Sequence, residues 1–455
     1  MLSVYSNSVI PNYGIAPIQN NMNSVKGAVS NTQYTSAPSF KGSASNVNFR
    51  ASLSTKEEKA EYKYLTKHLD KAGRKQLEVL LKSGILLKND SNDKSTTLEN
   101  LYKLATTPRA EGMDADLLLK HTVATIANPY TITQRFGDVP DEYKPKFIDS
   151  LTNNSKNLID RKLADYEITD LFSGCCVAAS EEFNLASRNP AEFARFAEGL
   201  TSPKKSVEKE IKLDSLSEKT LDAIWLLNAF EIPYEAKDFK TAKITLAPDK
   251  NAYVREQIQE RHQDYLERSP IDVLMQSTFM NVGSQQSYNT LNDRRGGKFS
   301  NEDRGLIDFE KTFMESVVED KNITSVTYQK VDENQNIIGY EADYNTVKNQ
   351  LLETLQTGKN IIIGYTMTDE NRHITGGHEI TIIGAQTDKD GELYFICNDT
   401  DDDSPEPIIC PAAKLIPTIH HAGIPTEIAE KNMQQTENWV LGLRDFNGQG
   451  ETKKD

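Results

Sequence analysis

The spacing of apolar residues changes near residue 320 of this 455-residue chain, and this change constrains the fold more than any other feature. Before that point apolar residues recur mostly at helical intervals. After it, short apolar runs flank turn sequences such as DENQN (332–336) and TDKDG (387–391), a pattern typical of β-hairpins. A helical part followed by a strand part predicts an α+β protein.

The helical pattern is clear enough to place individual elements. A capping box at Ser54–Glu57 predicts the first helix start. Further helices are expected at 97–106, 114–126, 142–151, 175–187, 190–199, 217–230 and 251–267. Strands are expected at 324–330, 337–343, 360–365, 378–384, 392–397 and 438–443.

Composition divides the chain into four segments. Residues 1–52 are rich in Asn, Ser, Gly and Pro and have no periodic apolar face, which predicts a disordered tail. Residues 53–155 are expected to form a small helical domain. Residues 156–447 carry the mixed pattern of the main α+β domain, and 448–455 form a short disordered tail.

Charge and hydropathy exclude several classes of partner. The formal net charge of −15 repels phosphate backbones, so nucleic acid is not an expected partner. No run approaches 18 apolar residues, so no membrane span is expected. The N-terminus lacks the charged and apolar regions of a secretory signal peptide. This favours the cytoplasm and leaves open export by a route without such a signal.

The four cysteines are Cys175, Cys176, Cys397 and Cys410. They are too few for a disulfide scaffold and lack the paired C-x-x-C spacing of a zinc site. Cys176 follows Gly174 at the start of an Ala-rich helical pattern. The positive end of a helix dipole favours a thiolate, which is the form that attacks a carbonyl group. A single cysteine is more often a small buried hydrophobe, so this segment needs support from elsewhere.

That support comes from a histidine in the strand part of the chain. His378 follows two glycines and is expected to open a strand, and Asn398 ends the next strand. A hairpin places the start of one strand beside the end of the other, so these two side chains should be neighbours. A catalytic imidazole needs such a partner to orient it. The following residue, Asp399, is the alternative partner.

These segments resemble the papain family of cysteine peptidases. The run Ser-Gly-Cys-Cys-Val-Ala-Ala-Ser (173–180) is similar to the family's nucleophile segment, and the order Cys, His, Asn also matches. The resemblance implies a two-lobed fold with a helical lobe and an antiparallel β lobe. It implies Cys176 as nucleophile, His378 as base, Asn398 as the residue that orients the base, a peptide or protein substrate, and no cofactor or metal. Related Cys-His-Asp enzymes on the same fold keep Asp399 open as the third member.

Two features depart from the family pattern. Asp170 stands six residues before Cys176, where the family usually has a Gln that helps to form the oxyanion hole. The separation of 202 residues between Cys176 and His378 exceeds the usual value of about 130–150. The excess is assigned to an insertion within 201–320, whose polar run at 277–289 either lines a substrate cleft or is a surface insertion.

Three functions remain open at this stage. The first is a cysteine peptidase that works through a thioester. The second is a related acyl transfer, such as transglutaminase or amidase chemistry, on the same fold. The third is a binding protein that keeps the fold without turnover, which Asp170 favours. Residues 53–155 are either an inhibitory or positioning segment for the cleft or a permanently docked structural domain.

Overall fold

The computed structural model describes residues 50–134, 174–212, 241–256, 268–295 and 305–431. Short gaps fall within the last three ranges, at 254, 285, 291–293, 307 and 402–405. The described residues combine α-helices with antiparallel sheet, which confirms the α+β class. The predicted elements at 142–151, 217–230 and 438–443, and both predicted tails except for 50–52, lie outside the described residues.

The helices, numbered in chain order, are α1 Lys56–His68, α2 Lys71–Lys82, α3 Thr97–Thr106, α4 Ala115–Ala127, α5 Cys176–Arg188, α6 Pro190–Thr201, α7 Pro270–Gly283, α8 Asp308–Glu319, α9 Tyr344–Gln356, α10 Ala412–Leu415 and α11 Thr426–Lys431. Within the described ranges, no helix has the length and apolarity that a bilayer crossing requires.

The strands are β1 Val207–Lys212, β2 Thr241–Leu246, β3 Tyr288–Asn289, β4 Arg294–Arg295, β5 Ile323–Thr327, β6 Gln329–Val331, β7 Ile337–Tyr340, β8 Ile361–Thr368, β9 Ile374–Thr387, β10 Leu393–Asn398, β11 Ile408–Pro411 and β12 Ile419–Pro425. Six of them form one antiparallel sheet in the order β11-β10-β9-β8-β12-β5. The two predicted hairpins are confirmed as the pairs β6–β7 and β9–β10.

Local capping explains where the first helices begin. The capping box of α1 is formed by Thr55 and Glu58, one residue later than the predicted pair. The predicted pair was wrong because Ser54 and Thr55 each have a Glu three residues later, so the sequence does not distinguish them. In the structure Thr55 Oγ1 accepts from the amide of Glu58, and the Glu58 carboxylate accepts from the amide of Thr55. A second capping box, between Thr96 and Glu99, begins α3 at its predicted position.

Two apolar cores hold the described elements together. The first contains side chains of helices α1 to α8 and of the β1–β2 pair. The second lies between the large sheet and α9 to α11. Helices from residues 56–127 therefore share one core with α5, α6 and α7. This shared core favours a docked structural role for the predicted helical domain of 53–155, although the domain boundary itself stays a prediction.

The part of the polar run at 277–289 that forms α7, in which every residue is buried, does not lie at the surface. The aromatic residues Phe279 and Tyr288 are also buried. Polar side chains in α7 find partners inside the protein: Ser277 donates to Asp249, for example, at 3.0 Å. The prediction failed because local polarity cannot reveal partners that are distant in the chain.

A buried group of charges joins α5, α8 and the residues before β8. Lys359 donates to Glu315 at 3.1 Å and to Glu319 at 2.6 Å, and all three side chains are almost fully buried. Burial opposes the charge on Glu319, but Lys359 and Lys321 lower the pKa of this carboxyl to about 2. Glu181 of α5 lies against the same group. Lys359 is therefore the cation on which these buried carboxylates depend.

We expect Lys359→Met to destabilise the protein by about 3–5 kcal/mol, because it leaves buried carboxylates without their counter-charge. Urea unfolding followed by circular dichroism measures this change. The control is Lys389→Met, at an exposed turn position, which should change the free energy of unfolding by less than about 0.5 kcal/mol. A loss below about 1 kcal/mol for Lys359→Met would contradict this account.

Candidate active site

The first turn of α5 presents Cys176 at the edge of the first core. Gly174 adopts a left-handed conformation, with φ of 70°, that suits glycine, and α5 begins two residues later at Cys176 itself. Cys176 is partly exposed, whereas residues 177–186 are all buried. The predicted glycine turn and helix start are confirmed, and the thiol lies at the positive end of the helix dipole.

Cys175 lies in a different environment from its neighbour. It is fully buried, and its thiol donates to Oε1 of Gln276 at 3.1 Å. The four cysteines are all free, and Cys397 and Cys410 are buried partners on adjacent strands. Of these thiols only that of Cys176 is accessible, which agrees with its choice as the candidate nucleophile.

His378 lies within β9 rather than at its start. The strand begins four residues earlier, at Ile374, because pairing with β8 continues past the two glycines as far as Thr368. Tyr365 is the residue opposite His378 on β8, and the two rings meet edge to face with centroids 5.7 Å apart. The thiol of Cys176 contributes to the raised pKa of His378, so the two side chains are neighbours. The structure therefore brings together the two residues that the sequence placed 202 positions apart.

Asp399, rather than Asn398, lies against the imidazole. Its Oδ1 is 2.8 Å from Nε2 of His378. Asn398 is buried, and its Nδ2 has no hydrogen-bond partner among the described residues. The structure thus places the alternative third residue, and not the preferred one, at hydrogen-bond distance from the ring.

A β-bulge accounts for this difference. The β9–β10 register shifts between Ile396 and Cys397, so Asn398 pairs with Thr381. Residues 378 and 381 are an odd number of positions apart and point to opposite faces of the strand. A regular hairpin would pair Asn398 with position 382, on the same face as His378. The predicted neighbour was wrong because the sequence gives no sign of the bulge.

Electrostatics favour the charged imidazole. Burial opposes this charge, but Asp399 and Asp401 outweigh it and raise the pKa of His378 well above its ordinary value of 6.5. Burial likewise opposes the charge on Asp399, yet His378 holds the pKa of that carboxyl below its ordinary value. At neutral pH the ring is therefore protonated and paired with Asp399, and the neighbouring Cys176 also raises the pKa of the ring.

The sequence analysis missed a second carboxylate at this site. Asp401 has no predicted role, but its Oδ2 lies 3.7 Å from Nδ1 of His378. Its Oδ1 accepts a hydrogen bond from Nε2 of Gln134, another residue without a predicted role. One sequence signal could have identified this second carboxylate. Asp401 lies two positions after Asp399, directly after the predicted hairpin that carries His378.

The segment that follows α4 supports this side of the site. Thr133 Oγ1 and the amide of Gln134 both donate to the carbonyl oxygen of Thr400, at 2.9 and 3.2 Å. The carbonyl of Thr133 accepts from Gln276, which also accepts from Cys175. Residues 133–134 therefore connect the start of α5 with the turn at 399–401. They belong to the predicted segment 53–155, and this connection agrees with the hypothesis that the segment positions the site. Asp170 lies outside the described residues.

The arrangement provides the parts that nucleophilic acyl chemistry needs. A thiol at a helix N-terminus contacts one side of an imidazole, and a carboxylate holds the opposite nitrogen. Asp399 on Nε2 leaves Nδ1 as the nitrogen that faces the thiol. Comparison of the chain with protein-family models, with curated proteins and with solved structures gave no match in any of the three.

We expect Asp399→Asn to slow alkylation of Cys176 by iodoacetamide at pH 7 by about tenfold, the factor that corresponds to one pKa unit. The substitution removes the anion that raises the pKa of His378, so the ring loses the positive charge that it presents to Cys176. Peptide mass spectrometry measures the rate. Asn398→Ala is the matched control and should change the rate less than twofold. The opposite ranking of the two variants would restore Asn398 as the orienting residue.

Proposed function

We propose that this protein is a cysteine peptidase of the papain-like type, with Cys176, His378 and Asp399 as its catalytic residues. One observation carries the proposal: the partly exposed thiol at the start of α5 neighbours an imidazole whose Nε2 lies 2.8 Å from a carboxylate. The helical first core and the antiparallel second core are consistent with a two-lobed arrangement that places the site between them.

The proposed reaction uses these groups in order. The Cys176 thiolate attacks the carbonyl carbon of the substrate, and the carbonyl oxygen becomes an oxyanion. The His378 imidazolium gives its proton to the leaving amine, and a thioester remains on Cys176. Water then attacks the thioester while His378 takes its proton, and the acid product leaves. Asp399 holds the ring and stabilises its charge throughout, as the carboxylate of a catalytic triad does.

Two groups are suited to stabilise the oxyanion. The first amides of α5 have no acceptor within the helix and point towards its N-terminal end. Gln134 supplies a side-chain amide on the Asp401 side of the ring. In this proposal Gln134 takes the role that the family gives to a Gln at the position of Asp170.

Acyl transfer to an amine is the second candidate. The observation that favours it is Asp399, because transglutaminase-like enzymes on this fold use a Cys-His-Asp site. Both candidates share the thioester and differ only in what attacks it. Incubating the protein with casein and a fluorescent primary amine separates them: incorporated label supports transfer, and cleaved casein without label supports hydrolysis.

The catalytic pair itself can be tested by double mutation. We expect Cys176→Ala and His378→Ala each to lower turnover of a cleaved peptide by roughly 10³-fold or more, and the double variant to lose little beyond either single one. The neighbouring thiol provides the control, Cys175→Ser, which should keep turnover and the labelling of Cys176. Multiplied losses in the double variant would mean that the two residues do not act as a unit. Peptide cleavage retained by Cys176→Ala would overturn the proposal.

If Gln134 stabilises the oxyanion, its replacement should affect substrate turnover and alkylation of Cys176 differently. We expect Gln134→Met to lower the rate of substrate turnover by about 10²–10³-fold, the cost of one lost oxyanion donor. Alkylation of Cys176 by iodoacetamide forms no oxyanion and should keep its rate within about threefold. An equal loss in both measurements would instead indicate that Gln134 only supports the fold around Asp401.

A further inference from the structure

We propose that Tyr365 is a positioning residue of the site, whose ring holds the imidazole of His378 in the orientation that contact with Asp399 requires. The inference rests on the proposed function, because Tyr365 acts through the proposed base and not on the substrate. Tyr365 has no part in the reaction proposed above, although it is the residue that lies opposite His378 on β8.

The order of the strands places the imidazole between two supports. Strand β9 lies between β8 and β10 in the large sheet. On the β8 side, Tyr365 is paired with His378, so the two side chains share one face of the sheet. On the β10 side, Asp399 directly follows the strand, and its Oδ1 lies 2.8 Å from Nε2 of the ring. Movement of the ring away from Asp399 is therefore movement towards Tyr365, which opposes it.

The contact between the two rings depends on their orientation. The ring centroids are 5.7 Å apart and the ring planes meet at 86°, an edge-to-face arrangement in which aromatic rings attract each other. Rotation of the imidazole about its Cβ–Cγ bond would change this angle and weaken the contact. The same rotation decides whether Nε2 points to Asp399, so the aromatic contact and the hydrogen bond favour one orientation of the ring.

Tyr365 is itself held in place. It is 9% exposed, and on its other side it pairs with Ile419 of β12, which is fully buried. Along β9, the residues two positions from His378 share its face. One of them is the buried Ile380, whereas the other, Gly376, has no side chain to support the ring. Support from the β8 side therefore comes from an aromatic ring that is fixed by the sheet.

The hydroxyl of Tyr365 is not needed for this role. Among the described residues, this hydroxyl has no hydrogen-bond partner, and the contact with His378 is made by the ring. Burial raises the pKa of Tyr365 above its ordinary value of 10, so the phenol is neutral at neutral pH. Phenylalanine has the same ring and should therefore replace Tyr365, whereas an aliphatic side chain should not.

Proton NMR of the full chain tests this role without any substrate. The proton between Nε2 of His378 and Asp399 should give a downfield resonance, which is assigned by its loss in Asp399→Asn. Tyr365→Leu should speed exchange of this proton with water about tenfold, because the ring leaves Asp399 more often. Tyr365→Phe should change the exchange rate less than about twofold. Ile363→Val is the control for altered packing of the same strand, since Ile363 lies opposite Ile380, and it should also change the rate less than about twofold.

Two further measurements support the comparison. Alkylation of Cys176 by iodoacetamide at pH 7 should slow about tenfold in Tyr365→Leu, as in Asp399→Asn, and keep its rate in Tyr365→Phe. In the wild-type protein, which does not depend on the folding of a variant, the ring resonances of Tyr365 should shift with pH at the same midpoint as those of His378.

Unchanged proton exchange and alkylation in a folded Tyr365→Leu would overturn the proposal. Equal losses in Tyr365→Phe would do the same, because they would assign the role to the hydroxyl, and equal losses in Ile363→Val would show a general effect of packing. Ring resonances of Tyr365 that do not follow the titration of His378 would exclude the contact itself. Failure of the peptidase proposal is distinguishable, since it would leave these results intact while no peptide is cleaved.

Discussion

Burial of the polar face of helix α5 is the constraint on which the site depends. Residues 177–186 are all buried, and among them are Glu181, Glu182 and Asn184. Buried polar groups need partners, and these partners fix the helix in space. Glu182 accepts from Gln276 of α7 at 2.9 Å, and Asn184 accepts from Asn360, next to β8, at 2.9 Å. The helix that carries Cys176 is thus joined by polar contacts to the sheet that carries His378.

The site lies where the two apolar cores meet. Cys176 begins a helix of the first core, whereas His378 lies in the sheet of the second and Asp399 directly follows strand β10 of that sheet. Each core therefore positions one member of the proposed catalytic pair, and the segment 133–134 connects the two sides through Thr400 and Gln276. Relative movement of the cores therefore changes the distance between thiol and imidazole directly, whereas the pair formed by His378 and Asp399 stays within one sheet.

The sequence predicted those parts of the site that rest on local signals. The glycine turn before a helix located Cys176, and a hairpin with clear turn residues located His378 and the region of its partner. The predictions that were wrong concerned features that depend on contacts between residues far apart in the chain. A bulge in the β9–β10 pair exchanged Asn398 for Asp399, and the bulge has no sequence signature here. The polar residues of the buried helix α7 were interpreted as an insertion, because the residues that bind their side chains lie far away in the chain. The sequence around Gln134 likewise did not predict its place at the site, because its partners Thr400 and Asp401 lie more than 260 residues further along the chain.

The chain order of the catalytic groups has a consequence during synthesis. Cys176 and Asp399 are separated by 223 residues, which take about 10–45 s to translate at roughly 5–20 residues per second. Throughout this interval the thiol has no imidazole beside it, because the strands that carry His378 and Asp399 do not yet exist. A ribosome-bound or truncated chain that ends before residue 378 contains Cys176 but lacks His378. The order of the segments thus delays assembly of the proposed site until the strands around His378 have been made.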